Sequence, residues 1–261
     1  DVGGPDVRAK LFNLSGAPLG REFIVNTETI DHQRDPKLAS IGDGRFVAIW
    51  QDFSGRGGDV CGSGLKAKLF NGSGGVLRDE FLVNVETRGR QFNASVVALK
   101  SGNFVVAWQT GADGSSRIMT RVFSANGEPA SVELMVDINS HSQSDHPLIA
   151  AMQDGGFTIV WSERTIRPQG PLKTIKARQF SADGSPQGDE LAWAEISNPS
   201  PFISLSLRVF DADRRPRGNI VQISSNTLDQ PHSTALAALV SDKFVVVWTQ
   251  RNGAGSEVAH N

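Results

Sequence analysis

The chain has 261 residues, 39% hydrophobic and 21% charged, which suits one large all-β domain or two smaller ones. Its 26 basic and 28 acidic residues leave a formal net charge of −2, which gives no electrostatic reason to expect nucleic acid or an anionic membrane surface as partner. The longest apolar runs, such as 244–248, fall far short of the roughly 20 residues a membrane helix needs, so membrane insertion is not expected.

The first predicted strand covers 7–12 and ends at Phe12; the second covers 22–25 and opens with Glu22. A strand of small and aliphatic residues follows at 38–41, then an apolar run, 46–50, ending at Trp50. The same four landmarks return. Strands ending in Phe lie at 65–70, 118–123, 175–180 and 206–210, and strands of the Glu type at 80–83, 133–136, 190–193 and 220–223. Small-residue strands lie at 96–99, 148–152 and 235–239, and runs ending in Trp at 104–108, 157–161 and 244–248. From Phe to the following Trp the interval is 38 residues in each of four cases: 12 to 50, 70 to 108, 123 to 161 and 210 to 248. Equal spacing with matched flanks marks an internal repeat.

Turn residues separate the strands at the spacing of all-β folds. Gly16, Gly74, Gly127 and Gly184 close the turns between Phe strand and Glu strand, and further Gly and Asp residues precede the Trp strands. These are hairpin residues because such turns call for φ > 0. The Trp strands lack the apolar–polar alternation of a sheet with one wet face, so each is expected to be buried on both sides, between two neighbouring sheets. The expected architecture is therefore an all-β propeller, a single domain over 1–261. It has about five four-stranded blades, each ordered small-residue strand, Trp strand, Phe strand and Glu strand from the centre outward. The chain begins with a third and fourth strand and ends with a first and second, so pairing of the two ends would close the ring and remove the open edge.

One blade is incomplete near 194–206. Phe180 has no Trp 38 residues later, and 198–205 reads as an inner strand running straight into the Phe strand at 206–210. About 20 residues of the repeat are missing. Either this is a deletion, or residues between Leu205 and Ser206 are not represented in the chain.

The segments Arg178-Gln-Phe-Ser-Ala-Asp-Gly184 and Arg208-Val-Phe-Asp-Ala-Asp213, with Gly156-Phe-Thr-Ile-Val-Trp161 and Phe244-Val-Val-Val-Trp248, carry a family likeness. The repeat resembles R-x-F-x-A-D-G…E-F-x-V-N…G-F-V-V-V-W units of large secreted or surface bacterial proteins, often associated with haemolysin-type or adhesin modules. The resemblance covers nearly the whole chain. It implies a propeller-like fold and a secreted or cell-surface bacterial setting, and it carries no family-wide catalytic residues. The chain departs from it in lacking Tyr and in the broken unit.

Trp50, Trp108, Trp161 and Trp248 are read as inter-blade core rather than sugar-stacking platforms. The Asn-x-Ser-Gly and Ala-Asp-Gly turns hold at most one carboxylate each, too few for a calcium cage. No cofactor is expected, with calcium the lesser reading. The lone Cys61 cannot form an internal disulfide. His32, His141, His146, His232 and His260 share no common register and are read as solvated loop residues.

The loops entering inner strands and those leaving Trp strands emerge at one end of every blade. That end gathers the candidate ligand-binding residues Gln33, Asp35, Asp52, Gln91, Gln109, Asp113, Asp145, Glu163, Gln230 and Gln250. No nucleophile elbow, zinc-protease motif or phosphate loop is present. The expectation is a non-catalytic binding and adhesion module recognising glycan or protein at that end. One alternative is a hydrolase or lyase using acids at the channel mouth; a second is a structural subunit of a larger assembly.

Overall fold

The computed structural model describes residues 3–58, 62–112, 115–138, 142–168, 170–196, 203–210, 216–227, 234–239 and 243–248; from 189 onward the description is of backbone only. The described residues form strands joined by turns, with no helix.

A short pair comes first, β1 (Arg8–Ala9) against β2 (Phe23–Ile24). Three four-stranded antiparallel sheets follow. The first is β3 (Gln33–Gly42), β4 (Arg45–Asp52), β5 (Gly64–Phe70) and β6 (Val76–Leu82), hydrogen-bonded in that order. The second is β7 (Arg90–Ala98), β8 (Phe104–Ala112), β9 (Ser115–Phe123) and the two-residue β10 (Leu134–Met135). The third is β11 (Ser142–Ala151), β12 (Phe157–Arg167), β13 (Gly170–Phe180) and β14 (Pro186–Ile196). Two two-stranded sheets complete the list: β15 (Ile203–Phe210) with β16 (Pro216–Thr227), and β17 (Thr234–Leu239) with β18 (Lys243–Trp248). The chain divides into two compact units, Asp1–Trp161 with Arg178–Glu190, and Ser162–Ala177 with Leu191–Asn261.

The strand order within the full sheets is the expected one, small-residue, Trp, Phe, Glu. The inner strand expected at 198–205 is not found as such. Residues 198–202 lie outside the described residues, and Ile203–Phe210 is one strand whose pairing with β16 shifts register at Leu205/Ser206. The physical reason is readable: Ile203, Leu205, Leu207 and Val209 alternate with Ser204, Ser206 and Arg208, the period of one continuous half-apolar strand.

Two of the Trp strands, β4 and β8, are buried on both faces, whereas β12 buries Phe157, Ile159 and Trp161 and leaves Thr158 and Val160 half-buried. Val47 and Ile49 join Leu65, Leu69, Phe104, Val106 and Trp108 in one core cluster, whereas Ala48 and Trp50 turn the other way onto Val7, Val25 and Phe70. Val105 and Ala107 face Phe157, Ile159 and Trp161 in a third cluster. Each of Trp50, Trp108 and Trp161 therefore packs on the sheet before its own, at 0–1% exposure, which rules them out as sugar platforms. Beside each Trp strand, its first Phe stacks on the Phe that ends the third strand: Phe46 on Phe70 at 5.0 Å, Phe104 on Phe123 at 5.3 Å, Phe157 on Phe180 at 5.1 Å. Phe12, their counterpart in β1's sheet, is 58% exposed.

Two further repeated contacts hold the sheets. The second residue after the fourth strand caps the third: Asn26 Oδ1 accepts from Val7 N, Asn84 Oδ1 from Leu65 N and Asp137 Oδ1 from Ile118 N. The Glu four residues before that cap reaches back to the preceding sheet. Glu80 Oε2 accepts from Thr27 N, and Glu133 accepts from Val85 N and Glu86 N.

Candidate functional site

The inner strands kink at one repeated place. β3 shifts register between Arg34 and Lys37, and β7 between Phe92 and Ser95. At each kink a non-glycine residue takes a left-handed backbone: Asp35 at φ 55° and Asn93 at φ 51°, joined in β11 by His146 at φ 53°. These three sit two residues after Gln33, Gln91 and Ser144, so they are one position of the repeat. Asp, Asn and His are the residue types that best tolerate this conformation, and positions held there cluster at functional sites.

A buried glutamine ties this position across two sheets. Gln109, next to Trp108 on β8, is 4% exposed. Its Oε1 accepts from Asn93 Nδ2 at 2.9 Å and from His146 N at 3.4 Å, and its Nε2 donates to Asp145 Oδ1 at 2.6 Å. Ser116 Oγ donates to the same Asp145 oxygen at 3.2 Å. The half-buried Asp145 carboxylate is thus oriented by β8 and β9 of the second sheet while its backbone belongs to β11 of the third. The preceding junction uses the same parts: Gln51 Nε2 donates to Ser63 Oγ at 2.7 Å, and Ser63 Oγ to Gln91 O at 3.1 Å.

Ten residues were expected at this end. Gln33 is buried opposite Asp52, with its Nε2 on Ile30 O, and Gln91 is buried opposite Thr110, with its Nε2 on Arg88 O and Thr110 Oγ1. Asp35 is exposed. Gln109 and Asp145 are brought into direct contact. Asp52, 3% exposed, lies 3.7 Å from Lys66 Nζ, which also meets Glu80 Oε1 at 2.8 Å; Asp52 Oδ1 accepts from Ser54 N. In the second unit Glu163 is buried and meets Lys176 Nζ at 3.0 Å. Lys66 and Lys176 both stand four residues before the terminal Phe of their strand. In the second sheet Thr110 and Met119 fill the two corresponding positions, so charge is gained or lost in pairs. Asp52 and Glu163 thereby read as halves of buried ion pairs. Asp113, Gln230 and Gln250 lie outside the described residues, as do His141, His232 and His260.

Asn93 was not picked out from sequence, and His146, read there as a solvated loop residue, is exposed but lies within β11. Their signal was the shared offset from Gln33, Gln91 and Ser144, hidden because the residue type changes at every repeat. The turn oxygens once considered for calcium serve their own hairpins. Asn13 Oδ1 accepts from Ser15 N and Ala17 N, Asn71 Oδ1 from Ser73 N and Gly75 N, and Asp183 from Ser181 Oγ and Ser185 N. The Ser181 hydroxyl, followed by the N–H groups, holds the Asp183 carboxyl below the usual carboxylate range.

No family model matches the chain, and no curated protein matches it either. Among solved structures it is similar to an endo-arabinase from Bacteroides thetaiotaomicron at 13% identity, covering 84% of this chain and 77% of that one with a TM-score of 0.38. It is also similar to Trypanosoma rangeli sialidase in complex with sialic acid, at 12% identity, 95% and 49% coverage and TM-score 0.44. A third is a mannose phosphorylase from Leishmania mexicana in complex with phosphate, at 11% identity, 85% and 72% coverage and TM-score 0.37. The proteins so named are glycan-processing enzymes and none is an adhesion module. The expectation of a non-catalytic binding and adhesion module is therefore corrected and set aside. At such scores the likeness carries no argument about chemistry, which rests on this chain's own side chains.

Proposed function

We propose that this chain is a single five-bladed propeller closed by its two ends, and that it acts on glycans as a hydrolase or lyase through acids at the loop-rich end of the inner strands. The observation supporting the chemistry is the left-handed position repeated at Asp35, Asn93 and His146, two of whose members are joined through Gln109 to an oriented Asp145. Asp35 and Asp145 supply two carboxyl groups and His146 a proton carrier at one end of the strands, the residue types that glycosidic bond cleavage uses. Closure is supported by Phe12. Its counterparts Phe70, Phe123 and Phe180 are each covered by a stacked Phe, and Phe244 holds the corresponding place in β18. The likeness of the repeat to secreted and surface bacterial proteins supports an extracellular setting.

The test is reducing-end release, or unsaturated-product absorbance, from a panel of arabinans, galactans, uronic acid polymers and sialosides. Asp35→Asn and Asp145→Asn variants run alongside. The reading expects turnover of at least one glycan and a loss of about 100-fold or more in each variant. No turnover across the panel by the folded chain, or turnover that survives both substitutions, overturns it.

A further inference from the structure

Beside the Asp35 kink lies a cluster that the reading above does not use. Phe53, the residue after β4, donates its N–H to His32 O and lies half-buried. The Arg34 guanidinium sits over its ring at 4.3 Å from the centroid, and the Arg90 guanidinium approaches the same ring at 5.9 Å. Arg90 also lies 5.4 Å from the Phe92 ring, and His32 meets Phe53 edge-on at 6.5 Å. Arg34 comes from β3 and Arg90 from β7, so the inner strands of two successive sheets converge on one aromatic platform.

Two cations drawn to one ring repel each other, and the ring's quadrupole offsets only part of that. Arg8, Arg45, Arg56, Arg78 and Arg117 each hold a carboxylate. Among the described residues Arg34 and Arg90 hold none, and both are exposed. Asp31 and Asp35 are the acids that flank Arg34 in sequence. Asp31 is engaged by His32, whose hydrogen bond, with a smaller contribution from Arg34's charge, keeps the carboxyl below its usual range. The planar forks of Arg34 and Arg90 thus keep their N–H donors available, beside an apolar ring face.

We infer that Arg34 and Arg90, seated on Phe53, bind the carboxylate of an acidic sugar, so that the glycan this chain takes is a uronic acid polymer. The anion is held by charge-assisted N–H donors and the sugar face packs on Phe53 or Phe92, with the next residue of the polymer directed toward Asp35. The substrate class rests on the glycan-acting reading; the anion site itself does not.

Binding is measured by affinity electrophoresis and calorimetry with polygalacturonate and, separately, with its fully methyl-esterified form. The chain, Arg34→Ala/Arg90→Ala and Arg34→Lys/Arg90→Lys are compared, with thermal melts as the folding check. The inference expects the free acid polymer to bind and the ester not to. It expects the alanine pair to lose about tenfold or more in affinity and the lysine pair to recover part of it. Raising salt from about 20 mM to about 500 mM should weaken binding strongly. Equal binding of ester and acid, or an alanine pair that melts normally and binds as well as the parent, overturns the inference. Binding without cleavage defeats the catalytic reading and leaves the anion site standing. Cleavage of neutral glycans by a chain that ignores polygalacturonate does the reverse.

Discussion

Replacing Asn84 by Ala removes the acceptor that Leu65 N uses inside the first sheet, at 2.9 Å, and the donor that Nδ2 presents to Glu86 O, also at 2.9 Å. Asn84 is 2% exposed and Leu65 1%, so water does not easily replace the lost acceptor. An unsatisfied buried amide costs about 1–3 kcal/mol, and the second hydrogen bond adds about 1 kcal/mol, so the variant should lose roughly 2–4 kcal/mol. Asn84→Asp separates the two parts. It keeps an acceptor for Leu65 N but loses the donor and buries a carboxylate. At the equivalent position Asp137 is compensated by Arg117 Nε at 2.9 Å and Ser144 Oγ at 2.7 Å. Arg117's counterpart in the first sheet is Gly64, which supplies no charge. Burial without a cation raises a carboxyl's folded pKa above its unfolded value. The aspartate variant should therefore be close to the parent at acid pH and lose stability as pH rises above about 4. Urea unfolding followed by tryptophan fluorescence, at several pH values, reads both variants. An alanine variant within about 0.5 kcal/mol of the parent would refute the claim that this side chain closes the end of the strand.

Trp108→Ala empties a site at 0% exposure between the first and second sheets and should cost about 3–5 kcal/mol by urea unfolding. A loss under about 1 kcal/mol would mean that the Trp strands are not sandwiched. Asp79 is held below its usual carboxyl range first by the Glu80 N–H and then by Lys68 and Thr27. Its folded pKa is lower than the unfolded one, so its contribution is present above about 3.8 and lost as pH falls through the folded value. Asp79→Asn should thus lower the unfolding midpoint near neutral pH and converge with the parent in acid, the gap being small because the group is largely exposed.

Strand type was legible because burial leaves a direct mark on composition. A strand covered on both faces has no place for polar residues, as Val105–Trp108 show, and 38-residue spacing carries the mark from repeat to repeat. The caps at Asn26, Asn84 and Asp137 were not read from the sequence, because their partners are backbone N–H groups 19 residues away. The candidate site was legible only as a location. Gln109 and Asp145 were picked out, yet what joins them is contact between sheets, and Asp52 looked the same in sequence while serving a buried lysine. Residues 203–205 misled because a short apolar stretch after Pro201 reads as an inner strand unless its alternation is followed into Phe210.

Ring closure is the claim to test first. In the first two full sheets Ala48 pairs with Lys68 and Val106 with Arg121. Carrying that register to the chain ends sets Val246 opposite Lys10. Cross-strand partners stand about 5 Å apart at Cβ, within the compass of a disulfide once the strands pair. Lys10→Cys with Val246→Cys, in a Cys61→Ser background, should oxidise to a single intramolecular disulfide, seen as loss of both thiols and one cross-linked peptide by mass spectrometry. A folded chain whose two thiols stay free, or that cross-links only between molecules, would contradict a closed propeller.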